Sequence, residues 1–128
     1  MGEPVRLAAW VFAVLSAVVV AFHVAAIAGA PVGQLTMGGR WPGVLPPQVR
    51  WLSFASLLVM ALLVFVVFAR AGVVERSVPA WALRVVLGYL AVAIVMHVAT
   101  PSAAERRLWL PVILALTAAA CVVEFGSR

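Results

Sequence analysis

Four long apolar stretches constrain what this chain can fold into more than any other feature. They run over residues 10–28, 51–69, 81–99 and 108–125. The first three approach the roughly 20 residues that a helix needs to cross a hydrocarbon core of about 30 Å, and the fourth, although shorter, lies within the tolerated range. Each stretch is therefore predicted to cross a membrane, and a chain of 128 residues has room for little else.

The composition indicates lipid as the surrounding medium. Apolar residues make up 66% of the chain and charged residues 10%, whereas roughly 45–50% of a soluble domain is apolar. The basic residues are nine arginines scattered between apolar runs, and they give a formal net charge of +5. This spacing is typical of interfacial anchors rather than of a basic groove for a phosphate backbone, so no nucleic-acid partner is expected.

The order of the four stretches predicts the fold class. Breaks between successive long helices place them antiparallel, so residues 1–128 are expected to form one all-α domain, an integral membrane four-helix bundle with up-down-up-down order. Tryptophan supports the same boundaries, since an indole prefers the interface between headgroups and hydrocarbon. The tryptophans expected at span starts are Trp10, Trp51, Trp81 and Trp109.

A short internal similarity links the first and third spans. Residues 22–25 read Phe-His-Val-Ala, and residues 96–99 read Met-His-Val-Ala. Because both segments lie near the ends of parallel helices, the match is consistent with a duplicated helical hairpin. Short matches among alanine and valine also arise easily in membrane helices, so both interpretations stay open.

The break over residues 29–50 is the longest connection. It holds five glycines and four prolines, and its only charged residues are two arginines. Its apolar residues are too numerous for a disordered linker. We expect it to fold over one end of the bundle as a capping loop, or to lie in the headgroup layer where its backbone groups meet polar partners.

Arginine and glycine gather at the end of the bundle that carries this loop. Guanidinium groups and glycine amides suit phosphate and carboxylate, so an anionic lipid headgroup or a small anionic ligand is expected to bind there. The alternative is anchoring of helix ends to lipid phosphates without specificity. The candidate binding residues are Gly38, Gly39, Arg40, Trp41, Arg50, Arg106 and Arg107, together with His23 and His97. Glu105 is expected to pair with a neighbouring arginine.

His23 and His97 are the pair of titratable residues that most clearly suggests a cofactor site. On diagonal helices at one depth, two imidazoles can hold the iron of haem b as its axial ligands. The alternative, which we favour, is that each histidine hydrogen-bonds a carbonyl or water at an interface, so no cofactor is expected. Two histidines and the single Cys121 do not supply the ligands that zinc requires, so no metal site is expected.

At the opposite end of the bundle, Arg84 and Glu124 are expected to form a structural ion pair, because both lie about one turn inside the ends of their spans. No catalytic residue is predicted. Paired cysteines are absent, and Ser16, Ser53 and Ser56 have no acid at matching depth. The sequence therefore favours a non-catalytic protein and leaves an enzymatic function open.

The arginines divide almost evenly between the two sides of the membrane. The side with both termini carries Arg6, Arg70, Arg76, Arg84 and Arg128, and the other carries Arg40, Arg50, Arg106 and Arg107. The positive-inside rule gives the first side a margin of one arginine. We therefore expect a multi-pass protein of the cell membrane with both termini in the cytoplasm.

Several glycine and proline motifs occur together in the breaks between spans. They are Gly29-Ala30-Pro31-Val32-Gly33, Gly38-Gly39-Arg40 to Pro46, Thr100-Pro101-Ser102 to Glu105-Arg106, and Leu108-Trp109-Leu110-Pro111. In this combination the chain resembles, over most of its length, a family of small uncharacterised four-span membrane proteins of high-GC bacteria. The resemblance implies a four-helix membrane fold and draws attention to the end with the long loop, and it implies no particular activity.

These observations predict a non-catalytic integral membrane protein. It is expected to bind lipid or a small anionic ligand, or to serve as an accessory subunit of a membrane complex, through the face of the 29–50 loop. Besides the bilayer, the expected partners are another membrane protein or further copies of the chain. The alternative function is that of a small bis-histidine haem-binding redox protein that uses His23 and His97.

Overall fold

Four helices make up most of the fold in the computed structural model, which describes residues 2–128. They are α1 (Glu3–Ile27), α2 (Arg50–Arg70), α3 (Ala80–Ala99) and α4 (Ala103–Gly126). Each helix is long and apolar enough to cross a membrane. No strand occurs among the described residues, so the all-α class predicted from the sequence is confirmed.

Packing between the helices gives the up-down-up-down order that the sequence predicts. α1 packs closely against α2 and α4, and α3 packs against α4, while α2 and α3 touch only sparsely. α1 and α3 therefore stand diagonally across the bundle. Both termini lie at one end, which we name the terminal end, and the connection between α1 and α2 lies at the other, which we name the loop end.

Two helices begin earlier than the apolar stretches predict. α1 begins at Glu3 with Pro4 in its first turn, and α4 begins at Ala103 with Ser102 as its N-cap. Proline fits the first helical turn, and a serine N-cap satisfies a free backbone N–H, so both residues start helices whether or not the first turn is apolar. Hydropathy therefore locates the spans but misses these polar first turns.

The tryptophans do not all mark span starts. Trp51 and Trp81 lie in the first turns of α2 and α3, but Trp10 lies two turns inside α1, where its ring packs against Phe68 at a centroid distance of 5.0 Å. Trp109 is buried inside the bundle instead of standing in an interfacial belt. The apolar pattern cannot separate a belt tryptophan from a buried one, because burial depends on what covers the ring in the fold.

The packed core of the bundle occupies its terminal end. On α1 the core residues run from Val5 to Phe12, and on α3 they run from Leu83 to Leu90. Beyond Leu90, α3 has no fully buried residue before it ends. Because lipid tails are as apolar as leucine, close contacts rather than removal from water hold membrane helices together. The bundle is therefore closely packed at the terminal end, whereas at the loop end α3 packs loosely and the buried residues belong to other segments, such as Ala26, Leu45 and Ser53.

Small residues bring α1 and α4 together in this core. Ala9 and Ala120 are fully buried, and a Cβ atom at Gly126 would overlap Cγ2 of Val5. Small residues are typical of helix contacts in membranes, because they let the two backbones approach closely. The two helices α1 and α4 thus pack closely against each other at the terminal end.

A shielded carboxylate also lies at the terminal end. Glu124 is 3% exposed, and its Oε1 accepts hydrogen bonds from Nε of Arg84 and from Nη2 of Arg128, each at 3.2 Å. The structure thus places Arg84 and Glu124 in contact and adds Arg128 as a second cation. Both arginine side chains are more than half exposed, so their charges stay hydrated and each pair contributes about 1 kcal/mol at most.

Candidate functional site

A cavity of about 940 Å³ occupies the loop end of the bundle. All four helices contribute to its wall, and residues of the α1–α2 connection cover its top. The covering segment contains two short 3-10 turns, Gly33–Leu35 and Met37–Gly39, and we name residues 33–40 the lid. The cavity is large for the roughly 300–1,000 Å³ range of ligand pockets, and it lies where the packed core stops.

The cavity reaches the lipid-facing surface along α3. Tyr89 and Met96 line it and are 43% and 65% exposed. Ser56 and Met60 of α2 line the neighbouring part of the wall, and α2 and α3 touch only sparsely. Among neighbouring helices, α2 and α3 thus make the sparsest contact, and the cavity wall beside them includes exposed residues of α3.

Three hydrogen bonds tie backbone atoms of the lid to side chains at the start of α4. They are Ser102 Oγ to Gln34 O (2.6 Å), Trp109 Nε1 to Leu35 O (2.8 Å) and Gly38 N to Glu105 Oε2 (2.9 Å). The three α4 side chains are spaced by three and four residues, so they lie on one face of the helix. The lid is thus fastened along a single edge, and α4 sets its position.

The sequence Ser-Ala-Ala-Glu at residues 102–105 has the pattern of a capping box. Half of the box forms, because the backbone N–H of Glu105 donates to Oγ of Ser102 at 3.2 Å. The backbone N–H of Ser102 donates instead to Oγ1 of Thr100 at 3.3 Å. The carboxylate of Glu105 therefore turns away from the helix start and accepts from Gly38. The glutamate of the capping-box pattern thus binds the lid instead of capping the helix.

Glu105 faces a histidine rather than an arginine, which corrects the expectation from the sequence. The residue is 6% exposed, and its Oε1 lies 3.8 Å from Nε2 of His97. Within residues 2–128, no arginine lies at salt-bridge distance from it. Nδ1 of His97 lies 2.8 Å from O of Ala93. Because a carbonyl oxygen only accepts, Nδ1 carries a proton and Nε2 is the atom that faces Glu105.

Both histidines line this cavity, His23 from α1 and His97 from the diagonal helix α3. Nδ1 of His23 is buried and has no hydrogen-bond partner in the described part of the chain. The adjacent Phe22 packs edge-on against Trp109 at a centroid distance of 4.8 Å, so His23 lies beside an aromatic wall. In residues 2–128, no group of three or more His, Cys, Asp or Glu side chains is placed to hold a metal ion.

The four arginines at the loop end do not converge on one point. Arg40 lines the cavity with its guanidinium stacked over Trp41 at 5.0 Å. Arg50 and Arg106 bind backbone carbonyls, and Arg107 is exposed. The carbonyl bonds are Arg50 Nε to Leu45 O (3.0 Å), Arg50 Nη1 to Ile27 O (3.5 Å) and Arg106 Nη1 to Thr100 O (2.9 Å). Of these four cations, only Arg40 contributes to the cavity wall.

Glycine permits the lid to close in two different ways. Gly38 has a φ of 70°, in the left-handed region that favours glycine, and its N–H donates to Glu105. Gly33 is required for space, because a Cβ atom there would overlap the backbone oxygen of Trp41. Gly39 lies against the N-cap serine of α4, where an added Cβ atom would be tightly packed.

The sequence points to Gly38 as a binding residue and to Glu105 as an arginine partner, but it does not predict that they fasten a lid. It favours an interfacial position for Trp109, contains Ser102 only within a longer motif, and does not single out Gln34. The capping-box spacing of Ser102 and Glu105 is a signal that marks this helix start as structured. No signal identifies Gln34, since its contribution is a backbone oxygen that any residue carries.

Comparison with known proteins identifies no relative of this chain. No family model matches the chain, and neither the curated proteins nor the solved structures provide a match. The features that bear on function are therefore the cavity, its exposed side along α3 and its lid.

Proposed function

We propose that the protein binds a lipid-like amphiphile in the cavity at the loop end. The observation that carries this proposal is a cavity of about 940 Å³ with mainly apolar walls, which reaches exposed residues of α3 beside its sparse contact with α2 and has polar groups beneath the lid. Apolar walls with a few convergent polar groups are typical of small-molecule sites. The apolar chain of the ligand lies toward the exposed side along α3, and its polar head lies under the lid.

The uneven packing of the bundle supports this proposal. Close helix contacts stabilise the terminal end, whereas the second half of α3 contributes no fully buried residue. Val19, Leu90 and Ile113 present apolar surface to the cavity from three helices. A bound hydrocarbon chain makes dispersion contacts with these side chains and supplies packing that protein side chains provide at the other end.

A pair of substitutions on α3 tests the proposal. Ala93 lines the cavity, whereas Ala91 is exposed and is not part of its wall. In a chain that keeps Trp109 as its only tryptophan, a dibrominated octadecyl amphiphile is expected to quench the buried indole with a saturable dependence on concentration. Ala93→Phe is expected to weaken this quenching by about tenfold or more in affinity, because the added ring occupies the binding volume.

Ala91→Phe is the matched control, since it adds the same ring to the lipid-facing side of the same helix. We expect its saturable quenching to match that of the parent chain. Equal quenching in both variants would mean that the bromine atoms reach Trp109 from the detergent and not from the cavity, and the proposal would then fail.

The sequence predicts that the protein binds either lipid or a small anionic ligand. Of these two, the geometry favours lipid. A small anion needs several converging donors, and of the four arginines only Arg40 lines the cavity. The apolar walls and the exposed side along α3 match a molecule with a hydrocarbon part. The proposed role is non-catalytic, and contact with a partner membrane subunit would use the outer surface of the same lid.

The bis-histidine haem hypothesis fits this geometry less well. Axial ligation requires a ring nitrogen of each histidine to face the iron. Nδ1 of His97 is bonded to the Ala93 carbonyl, and Nε2 faces Glu105 at 3.8 Å. The Nδ1–H bond to a carbonyl is compatible with ligation through Nε2, but an iron bound there would lie against the Glu105 carboxylate. A Soret absorption band in the purified protein, lost in both His23→Ala and His97→Ala, is the result that would favour haem.

We also propose that the chain is a multi-pass protein of the cell membrane with both termini in the cytoplasm, supported by the one-arginine margin of the terminal side. Val44 and Ser77 are exposed residues in connections at opposite ends of the bundle. In a Cys121→Ser background, an impermeant maleimide is expected to label Val44→Cys on intact cells and Ser77→Cys only after permeabilisation. The reverse pattern would invert the orientation.

Membership in the family of small four-span membrane proteins of high-GC bacteria is likewise a proposal. It is supported by the glycine and proline motifs of the sequence. In the structure these motifs form the lid and the start of α4 to which the lid is fastened.

A further inference from the structure

A second pocket, of about 410 Å³, lies at the terminal end of the bundle, in the connection between α2 and α3. Its wall consists of residues from the 69–78 segment, and we name it the connection pocket. Arg6 fastens this segment to α1, since its Nη1 donates to the carbonyl oxygen of Gly72 at 3.0 Å. The connection pocket therefore lies at the opposite end of the bundle from the cavity, and what it binds does not depend on the proposed function.

Arg70, which ends α2, differs from the other partly buried arginines of the described chain. Arg6, Arg50 and Arg106 each donate to a backbone carbonyl. Nε of Arg70 is buried without a hydrogen-bond partner in residues 2–128, and no carboxylate of those residues lies at salt-bridge distance from this side chain. A shielded charge is costly unless an acceptor pairs with it. The geometry of Arg70 therefore favours an acceptor from outside the chain.

The charges around the connection pocket favour an anion as that acceptor. Arg70 and Arg76 line the pocket, and Arg6 adds a third cation through its bond to Gly72. Glu75 is the only carboxylate in the wall of the pocket. It is exposed, so water screens its charge more effectively than it screens the partly buried charge of Arg70. An anion in the pocket is therefore attracted by three cations and repelled by one hydrated carboxylate.

The position of the connection pocket favours phosphate among the anions. α2 ends at Arg70 and α3 begins at Ala80, so the pocket lies where two apolar helices reach the headgroup layer. A planar guanidinium can donate to two phosphate oxygens at once. We propose that the connection pocket binds a phosphate group, which the guanidinium of Arg70 holds through two N–H donors. Arg76 and the hydroxyl of Ser77 line the same pocket and supply further donors.

Binding of phosphatidylglycerol, counted by native mass spectrometry in a neutral detergent, tests this proposal. The chain carries Ala93→Phe, which fills part of the cavity at the loop end, so that the connection pocket is measured alone. Arg70→Gln is expected to weaken binding of the first lipid by about tenfold, because charge-assisted hydrogen bonds to phosphate are lost. Arg107→Gln is the matched control, since Arg107 is exposed and lines neither pocket. We expect it to leave the affinity nearly unchanged.

A second substitution has the opposite expected sign. Glu75→Gln removes the carboxylate of the pocket, and it is expected to strengthen binding of phosphatidylglycerol by about threefold, because one repulsive charge is lost at an exposed position. A gain in affinity cannot result from misfolding. Loss of affinity in Glu75→Gln would contradict the proposal, since phosphatidylglycerol has no cationic group that this carboxylate could bind.

Two further probes identify the part of the lipid that is bound. A diacylglycerol with the same acyl chains lacks phosphate, and we expect Arg70→Gln to leave its binding unchanged. Displacement of phosphatidylglycerol by inorganic phosphate would show that a free phosphate suffices, whereas resistance to displacement would show that the site takes the phosphate of a lipid.

The proposal would be overturned if Arg70→Gln weakened the diacylglycerol as much as phosphatidylglycerol. Equal affinities for phosphatidylglycerol in Arg70→Gln and Arg107→Gln would also overturn it, and would mean that water alone hydrates Arg70. None of these results changes what is expected of the cavity, because the two pockets lie at opposite ends of the bundle.

Discussion

Gly33→Val is expected to detach the lid from α4. A Cβ atom at this position would overlap the backbone oxygen of Trp41 and crowd the backbone oxygen of Gly43, and neither is the end of a flexible side chain that can move aside. The lid must shift, and its three hydrogen bonds to α4 are then lost, with a local cost of about 3 kcal/mol at roughly 1 kcal/mol for each bond. The N–H of Trp109 loses its Leu35 acceptor.

The measurement is the fluorescence of the chain that keeps Trp109 alone. Gly33→Val is expected to shift its emission to longer wavelength and to abolish saturable quenching by the dibrominated octadecyl amphiphile. Gly43→Ala provides the control, because Gly43 has a φ of 80° and open space around it, so alanine there costs about 1–2 kcal/mol of backbone strain without a clash. An unchanged emission in Gly33→Val would show that the lid does not cover Trp109 in the way described.

Phe12→Ala is expected to destabilise the bundle far more than Phe22→Ala, although both substitutions remove a phenylalanine from α1. Phe12 is fully buried in the core of the terminal end, so its loss leaves unfilled space among close-packed helices at a cost of about 3 kcal/mol. Phe22 lines the cavity and is half-buried. Its main loss is the edge contact with Trp109, worth about 1 kcal/mol.

Unfolding in mixed micelles with increasing dodecyl sulfate, followed by circular dichroism, gives both free energies of unfolding. Val11→Ala is the control for loss of an apolar group that faces lipid, since Val11 is 43% exposed, and we expect it to change stability little. Equal destabilisation by Phe12→Ala and Phe22→Ala would contradict the division of the bundle into a packed end and a hollow end.

The spans and their order could be predicted because hydropathy is a local property of the chain. Antiparallel connection of four apolar segments places the ends of α1 and α3 on one side, so the expectation that His23 and His97 lie at one end needed no knowledge of side-chain contacts. The long loop, rich in glycine but too apolar for disorder, similarly predicted a cover over that end.

The partners of the polar side chains could not be predicted, because they come from distant parts of the chain. Glu105 accepts from Gly38, which is 67 residues away in sequence, and Arg50 reaches the carbonyl of Ile27. A neighbouring arginine is the simplest local partner for a glutamate, but Arg106 turns back to the Thr100 carbonyl. Burial of Trp109 follows from the lid in the same way, so its position in the sequence alone favoured an interfacial belt.

The most direct test of the account is the position of bromine in the cavity. Crystals would be grown with dibrominated octadecanol and measured at the bromine absorption edge. The anomalous difference peaks locate the bromine atoms without any assumption about where the ligand binds. We expect the peaks inside the loop end of the bundle, between Met60 of α2 and Tyr89 of α3. Peaks confined to the outer surface of the helices, with none between α2 and α3, would contradict the account.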